Sequence, residues 1–116
     1  VTISQRRDRL RQRLADAELD AMLVSDLVNV RYLSGFTGSN AALLIRADSE
    51  TPVLATDGRY RAQSAQQAPD AEIVIERACG PHLAGRAAAD RVRRLGFESH
   101  VVTVDGFAAL RKAAGD

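Results

Sequence analysis

The chain has 116 residues and a formal net charge of +1. That length supports one compact domain, able to bury roughly two-thirds of its unfolded surface, and is too short for two. The charge balance gives no general attraction to nucleic acid or anionic membrane, and no apolar run approaches the roughly 20 residues of a membrane span.

The single cysteine, Cys79, has no internal disulfide partner, which suits a reducing, cytoplasmic setting. No charged segment followed by an apolar stretch and cleavage site opens the chain. Aromatic content is 4% and Trp is absent, so the core must be built from Val, Leu, Ile and Ala. The chain starts at Val1 rather than Met and stops at Ala114-Gly115-Asp116 without a closing element, which reads as a piece of a longer polypeptide.

Thr2 and Gln5 form a capping-box pattern, and Ile3, Leu10, Leu14 and Ala17 share a helical stripe, with Arg6, Arg9 and Arg13 elsewhere on that helix. Glu18-Leu19-Asp20 ends it without a glycine. Ala21 to Val24 reads as a buried strand. Asp26 is an N-cap for a short helix from Leu27 to Ser34, stopped by Gly35. Ala41 to Ile45 reads as a strand buried on both faces, Asp48-Ser49-Glu50 as a turn, and Val53 to Ala55 as its antiparallel return. Arg59 to Ala68 reads as a helix ending before Pro69, and Ile73 to Ile75 as a strand.

Gly80-Pro81 opens a further helix, with Ala84, Ala88, Val92 and Leu95 as its apolar stripe. Gly96 is its stop and Phe97 the apolar contact folded back on its end. Val101 to Val104 reads as the last strand, and Asp105 as the cap of a final helix with Phe107 and Leu110 facing inward. Strands alternating with helices around one hairpin imply an α/β layer fold with a mixed sheet.

Two stretches concentrate chemistry. The first is Gly35-Phe36-Thr37-Gly38-Ser39-Asn40, a polar, glycine-bearing loop between apolar elements. Glycine at 35 and 38 permits backbone angles that a β-carbon opposes. The order helix, loop, strand is the reverse of a phosphate cradle, and no Gly-Lys-Ser/Thr follows. The second is Thr56-Asp57-Gly58-Arg59-Tyr60-Arg61. Spacing alone allows a capping Asp57 with solvated arginines. The functional reading instead puts Arg59 and Tyr60 beside the 35–40 loop, with the guanidinium clamping a carboxylate.

Cys79 and His82 offer two ligands where zinc sites use three or four from protein, so no metal site is expected. No activated serine or cysteine stands out. The five arginines between Arg6 and Arg13 are interrupted by Asp8 and lack interleaved aromatics, so a solvated or partner-facing helix outweighs nucleic-acid binding.

Asn29-Val-Arg-Tyr-Leu-Ser-Gly-Phe-Thr-Gly-Ser-Asn40, the apolar strand after it and Thr56-Asp-Gly-Arg-Tyr60 together resemble the amino-terminal domain of the creatinase/prolidase family, nearest to Xaa-Pro aminopeptidases and dipeptidases. The likeness spans nearly the whole chain, including the opening helix and Leu95-Gly-Phe-Glu98, although Glu18 stands where the family often has glycine, and the domain is read as residues 1–116.

The resemblance implies a mixed sheet of about five to six strands with helices on both faces, ribonuclease H-like in layout. It implies no catalytic residue here. Two divalent ions (manganese, cobalt or zinc) would be held by a separate carboxy-terminal domain that cleaves Xaa-Pro bonds. It further implies packing against that domain in a homodimer or homotetramer, with proline-containing peptides as substrates of the whole protein. Phe36, Thr37, Gly38, Ser39 and Asn40, with Arg59 and Tyr60, are then the candidates for an active-site mouth or interface. The alternative is the equivalent domain of a creatinase-like hydrolase, or of a metal-less relative used for protein binding.

Overall fold

The computed structural model describes residues 1–115. Five strands form one mixed sheet: β1 (Ala21–Val24), β2 (Ala41–Arg46), β3 (Val53–Thr56), β4 (Glu72–Ile75) and β5 (Leu95–Phe97), in the order β4-β3-β2-β1-β5. The centre, β3-β2-β1, is antiparallel, and β4 and β5 each join an edge in parallel. Helices α1 (Ile3–Asp16), α2 (Leu27–Ser34), α3 (Arg61–Gln67), α4 (Cys79–Ala89) and α5 (Val104–Ala114) complete the described residues, with one 3-10 turn at Gly58–Tyr60.

The layers follow from strand alternation. Leu43 and Ile45 of β2 point to one face, where they meet Leu14 of α1, Val30 and Leu33 of α2, and Ala68 at the end of α3. Ala42 and Leu44 point to the other face and meet Cys79, Leu83 and Ala87 of α4, with Leu110 of α5 behind. Residues 41–45 are all buried, which explains their unbroken apolar run.

The local signals early in the chain act as their residue types suggest. Thr2 and Gln5 exchange both capping-box bonds, at 3.0 and 3.1 Å. Asp26 caps α2, and Gly35 ends it in the left-handed conformation (φ 84°). Helix α1 departs from expectation in two ways. Ala17 is exposed, and the inward position is taken by Arg7, which is buried. Its guanidinium donates to Leu33 O at 2.9 Å and pairs with Asp70, tying α1 to the end of α2 and to the segment before β4.

Four further expectations are corrected. Helix α4 does not run to Leu95, and Gly96 does not stop it. Arg91 adopts φ 65°, and Val92 N and Arg91 N donate to Ala87 O and Ala88 O at 2.9 and 3.0 Å, a Schellman closure without glycine. The freed segment is captured by Asp20, whose carboxylate accepts from Arg93 N and Arg94 N. Leu95-Gly96-Phe97 therefore becomes a strand beside β1, and Phe97 packs on Phe107 with centroids 5.3 Å apart.

The apolar stripe of α4 accordingly runs through Leu83, Ala84 and Ala87, and Ala88 is exposed. Val101–Val104 is no strand: Val101 N and Val102 N both turn back to Glu98 O. Thr103, not Asp105, caps α5, accepting from Gly106 N at 2.9 Å. Glu18 has φ 60° and closes α1 by the same Schellman pattern, with Leu19 N donating to Leu14 O at 2.8 Å.

Candidate functional site

Register brings the two chemistry-bearing stretches together. In the antiparallel β2–β3 pair Ala41 lies opposite Thr56, so Asn40 enters one strand beside the point where Asp57 leaves the other. In the parallel β3–β4 pair Thr56 lies opposite Ile75, which delivers Arg77 and Cys79 to the same end of the sheet. Asn40 Nδ2 donates to Asp57 Oδ2 at 2.9 Å and to Arg77 O at 3.3 Å. The Thr56 hydroxyl donates to Asn40 O at 2.6 Å.

Asp57 is the hub. Oδ1 accepts from Arg59 N at 3.0 Å, capping the 3-10 turn, and the Arg59 guanidinium bonds both carboxylate oxygens at 2.9 Å. These bonds from Arg59, then that from Asn40, hold the Asp57 carboxyl well below the usual carboxylate range and push the guanidinium up. Both readings of Asp57-Gly-Arg59 are thus true in part. Asp57 is a cap, and Arg59 clamps a carboxylate, but that carboxylate is Asp57 itself. The Arg59 side chain is still 67% exposed and lies over the Tyr60 ring at 5.1 Å.

The loop is equally bound to its surroundings. Phe36 is buried and meets Tyr60 edge to face, with centroids 5.5 Å apart. A β-carbon on Gly38 would stand 2.3 Å from Cζ of Phe36, whereas Gly38 has no left-handed φ. Glycine at 35 answers a backbone requirement, but glycine at 38 makes room for the Phe36 ring. Ser39 Oγ and Tyr60 OH are 2.7 Å apart, and that bond lowers the Tyr60 phenol below its ordinary value.

Thr37, a candidate for the mouth or interface, has partners that its sequence neighbourhood does not signal. Its backbone N–H donates to Gln67 Oε1 at 2.9 Å, and its hydroxyl accepts from Gln63 and Gln67 amides at 3.1 and 3.0 Å. The i, i+4 spacing of these glutamines puts them on one face of α3, but nothing local to them points to a loop 30 residues away.

All seven candidates, Phe36 to Asn40 with Arg59 and Tyr60, therefore form one cluster, with Thr37, Ser39 and Arg59 exposed over buried Phe36 and Gly38. Its polar groups are hydrogen-bonded to one another. Ser39 is paired to a phenol rather than to a general base. Burial, with the nearby Asp57 charge, pushes the Cys79 thiol up to about 11, and its Sγ donates to Glu76 O.

Cys79 and His82 belong to no group of potential metal ligands among the described residues. The converging group there is Asp26, Glu98 and His100, with ligand atoms within 4.8 Å of one another. Those carboxylates have structural duties. Glu98 accepts from Ser25 N, Asp26 N and Asn29 Nδ2, and Asp26 caps α2 while meeting His100 Nε2 at 3.1 Å. Glu98 thereby fastens the end of β5 to the start of α2.

No helix among the described residues is long and apolar enough to cross a membrane. The sequence model of the Creatinase/Prolidase N-terminal domain matches residues 6–116. The crystal structure of the N-terminal domain of the cytoplasmic peptidase PepQ from Mycobacterium tuberculosis H37Rv is 65% identical, with a TM-score of 0.92 over 94% of this chain and 84% of that one. An Xaa-Pro aminopeptidase from Streptococcus pyogenes is 31% identical, with a TM-score of 0.86 over 97% and 84%.

The uncharacterized peptidase YqhT of Bacillus subtilis (strain 168) is 32% identical over 114 residues, 94% of this chain and 31% of that protein. The chain thus spans about a third of the curated relative it matches. The family match over residues 6–116 and the fold shared with the PepQ domain agree, and the chain belongs to the Creatinase/Prolidase N-terminal domain family.

Proposed function

We propose that residues 1–116 are the non-catalytic N-terminal domain of a dimetal Xaa-Pro aminopeptidase or dipeptidase of the cytoplasm. The domain assists subunit assembly and shapes entry to an active site built elsewhere in the polypeptide. One observation supports this above the rest: the polar groups of the 36–40 and 57–60 surface satisfy one another, through Asp57 with Arg59 and Asn40, Ser39 with Tyr60, and Thr37 with Gln63 and Gln67. Such a surface presents a stiff outline at little cost in disorder and holds no activated nucleophile.

Two divalent ions in the catalytic part would supply the activated water. The contribution of this chain is then positional: exposed Thr37, Ser39 and Arg59 edge the mouth, while buried Phe36 and Gly38 hold the loop's path.

The test uses the whole enzyme. Tyr60→Phe and Arg59→Ala variants are expected to change KM or selectivity for Xaa-Pro peptides of different length while leaving kcat on the smallest substrate near wild type. Residues 1–116 alone, supplied with Mn²⁺, are expected to give no turnover. Robust turnover by the isolated domain would sink the reading, and so would unchanged specificity and oligomeric state in both variants.

A further inference from the structure

Helices α1 and α2 flank a groove of about 370 Å³ that shares no lining residue with the 36–40 loop. Leu10, Met22 and Leu33 supply its apolar floor, and Arg6, Arg9 and Arg13 stand along it. Their spacing of three and four residues places them on one face of α1, spanning about 10 Å of helix.

Arg6 is fixed. It donates to Tyr32 O at 3.0 Å and lies over the Tyr32 ring at 4.4 Å. Among the described residues nothing hydrogen-bonds to or pairs with the guanidinium of Arg9 or Arg13. Tyr32, which also lines the groove, is 53% exposed. One carboxylate, Glu98, lines the groove, and its oxygens are already engaged by Ser25 N, Asp26 N and Asn29 Nδ2.

We propose that this groove is a docking site for an acidic amphipathic helix of another polypeptide. Unpaired cations at helical spacing are complemented by carboxylates at the same spacing, and the floor takes the apolar side chains between them. A second copy of this chain fits poorly. Isologous contact would set these arginines against one another, and no described helix carries three carboxylates at that spacing. Nucleic acid would meet the cations but has nothing to place on the Leu10–Met22–Leu33 floor.

The probe is a fluorescein-labelled synthetic helix with Glu on one stripe and Leu on the next, titrated with the chain in low salt and followed by anisotropy. Saturable binding is expected, weakened by added salt and about tenfold weaker in the R9E/R13E double variant. Amide chemical shifts should move at Arg9, Leu10, Arg13, Asn29 and Tyr32. A control peptide with Ser for Leu should bind much more weakly. R9Q/R13Q is a milder variant should the reversal perturb folding, and far-UV circular dichroism monitors the fold.

The proposal is overturned by absent binding, by equal binding in both variants, or by shifts confined to another face. It is also overturned if a single-stranded oligonucleotide binds more tightly than the peptide, or if the chain self-associates through this face at the same concentrations.

Discussion

Phe36 and Tyr60 meet edge to face with their ring centroids 5.5 Å apart, and this contact joins the two halves of the candidate surface. Gly38 leaves the room that the Phe36 ring occupies: a β-carbon there would stand 2.3 and 2.6 Å from two ring atoms. Gly38→Ala should displace the ring and cost about 2 kcal/mol, in the range for overpacking a filled site. Urea unfolding should show a lowered midpoint, and the tyrosine near-UV signal should change with it. An unaltered midpoint would show that the loop yields freely.

Asp57 should give the surface a pH dependence. Its folded-state pKa is depressed, chiefly by the Arg59 guanidinium and next by Asn40. The unfolded chain therefore binds the proton more readily, and stability rises with pH. The contribution is fully present above the ordinary Asp value of about 4 and is lost as pH falls from there toward the depressed folded-state value. Asp20, Asp26, Asp48 and Glu72 are lowered too and act with the same sign. Asp57→Asn should lower Tm at neutral pH and flatten, without abolishing, the loss of Tm on acidification. Parallel wild-type and variant curves would show that the Arg59 clamp does not stabilise the fold.

Arg7 fastens three segments from inside the protein. It is 4% exposed, donates to Leu33 O and pairs with Asp70, while its Nε finds no partner. Removing the side chain leaves the Leu33 carbonyl without this donor and opens space under α1. Arg7→Ala should cost about 3 kcal/mol. Arg7→Met should cost less, because a buried charge is replaced by packing. Equal losses in the two variants would assign the effect to the hydrogen bonds rather than to the volume.

Arg91 holds a left-handed conformation at φ 65° to close α4, and its side chain is exposed. Glycine meets no β-carbon penalty there. Arg91→Gly should raise stability by about 1 kcal/mol, offset in part by the freer unfolded chain. A lower Tm would show that the Arg91 side chain has interactions outweighing its backbone strain.

Much of this protein was legible in residue order because the causes are local. Thr2 with Gln5, Asp26 with Gly35, and the apolar run 41–45 each signal an element through neighbours within one or two turns of chain. The two stretches that carry the candidate site were visible for the same reason, as polar and glycine-bearing breaks between buried elements.

What residue order left open depends on partners far along the chain. Leu95–Phe97 carries the apolar and glycine pattern of a helix end. It is a strand because Asp20, more than 70 positions earlier, accepts from Arg93 N and Arg94 N and delivers it to β1. Arg7 looks like one of five solvated arginines until α2 and Asp70 close over it. Arg59 offers a free clamp in sequence, and the fold aims it at Asp57 because the end of β3 sets both residues on one tight turn. Short-range capping and apolar periodicity select the elements, whereas desolvation and pairing across the sheet decide which charge is buried, which is spent and which stays free.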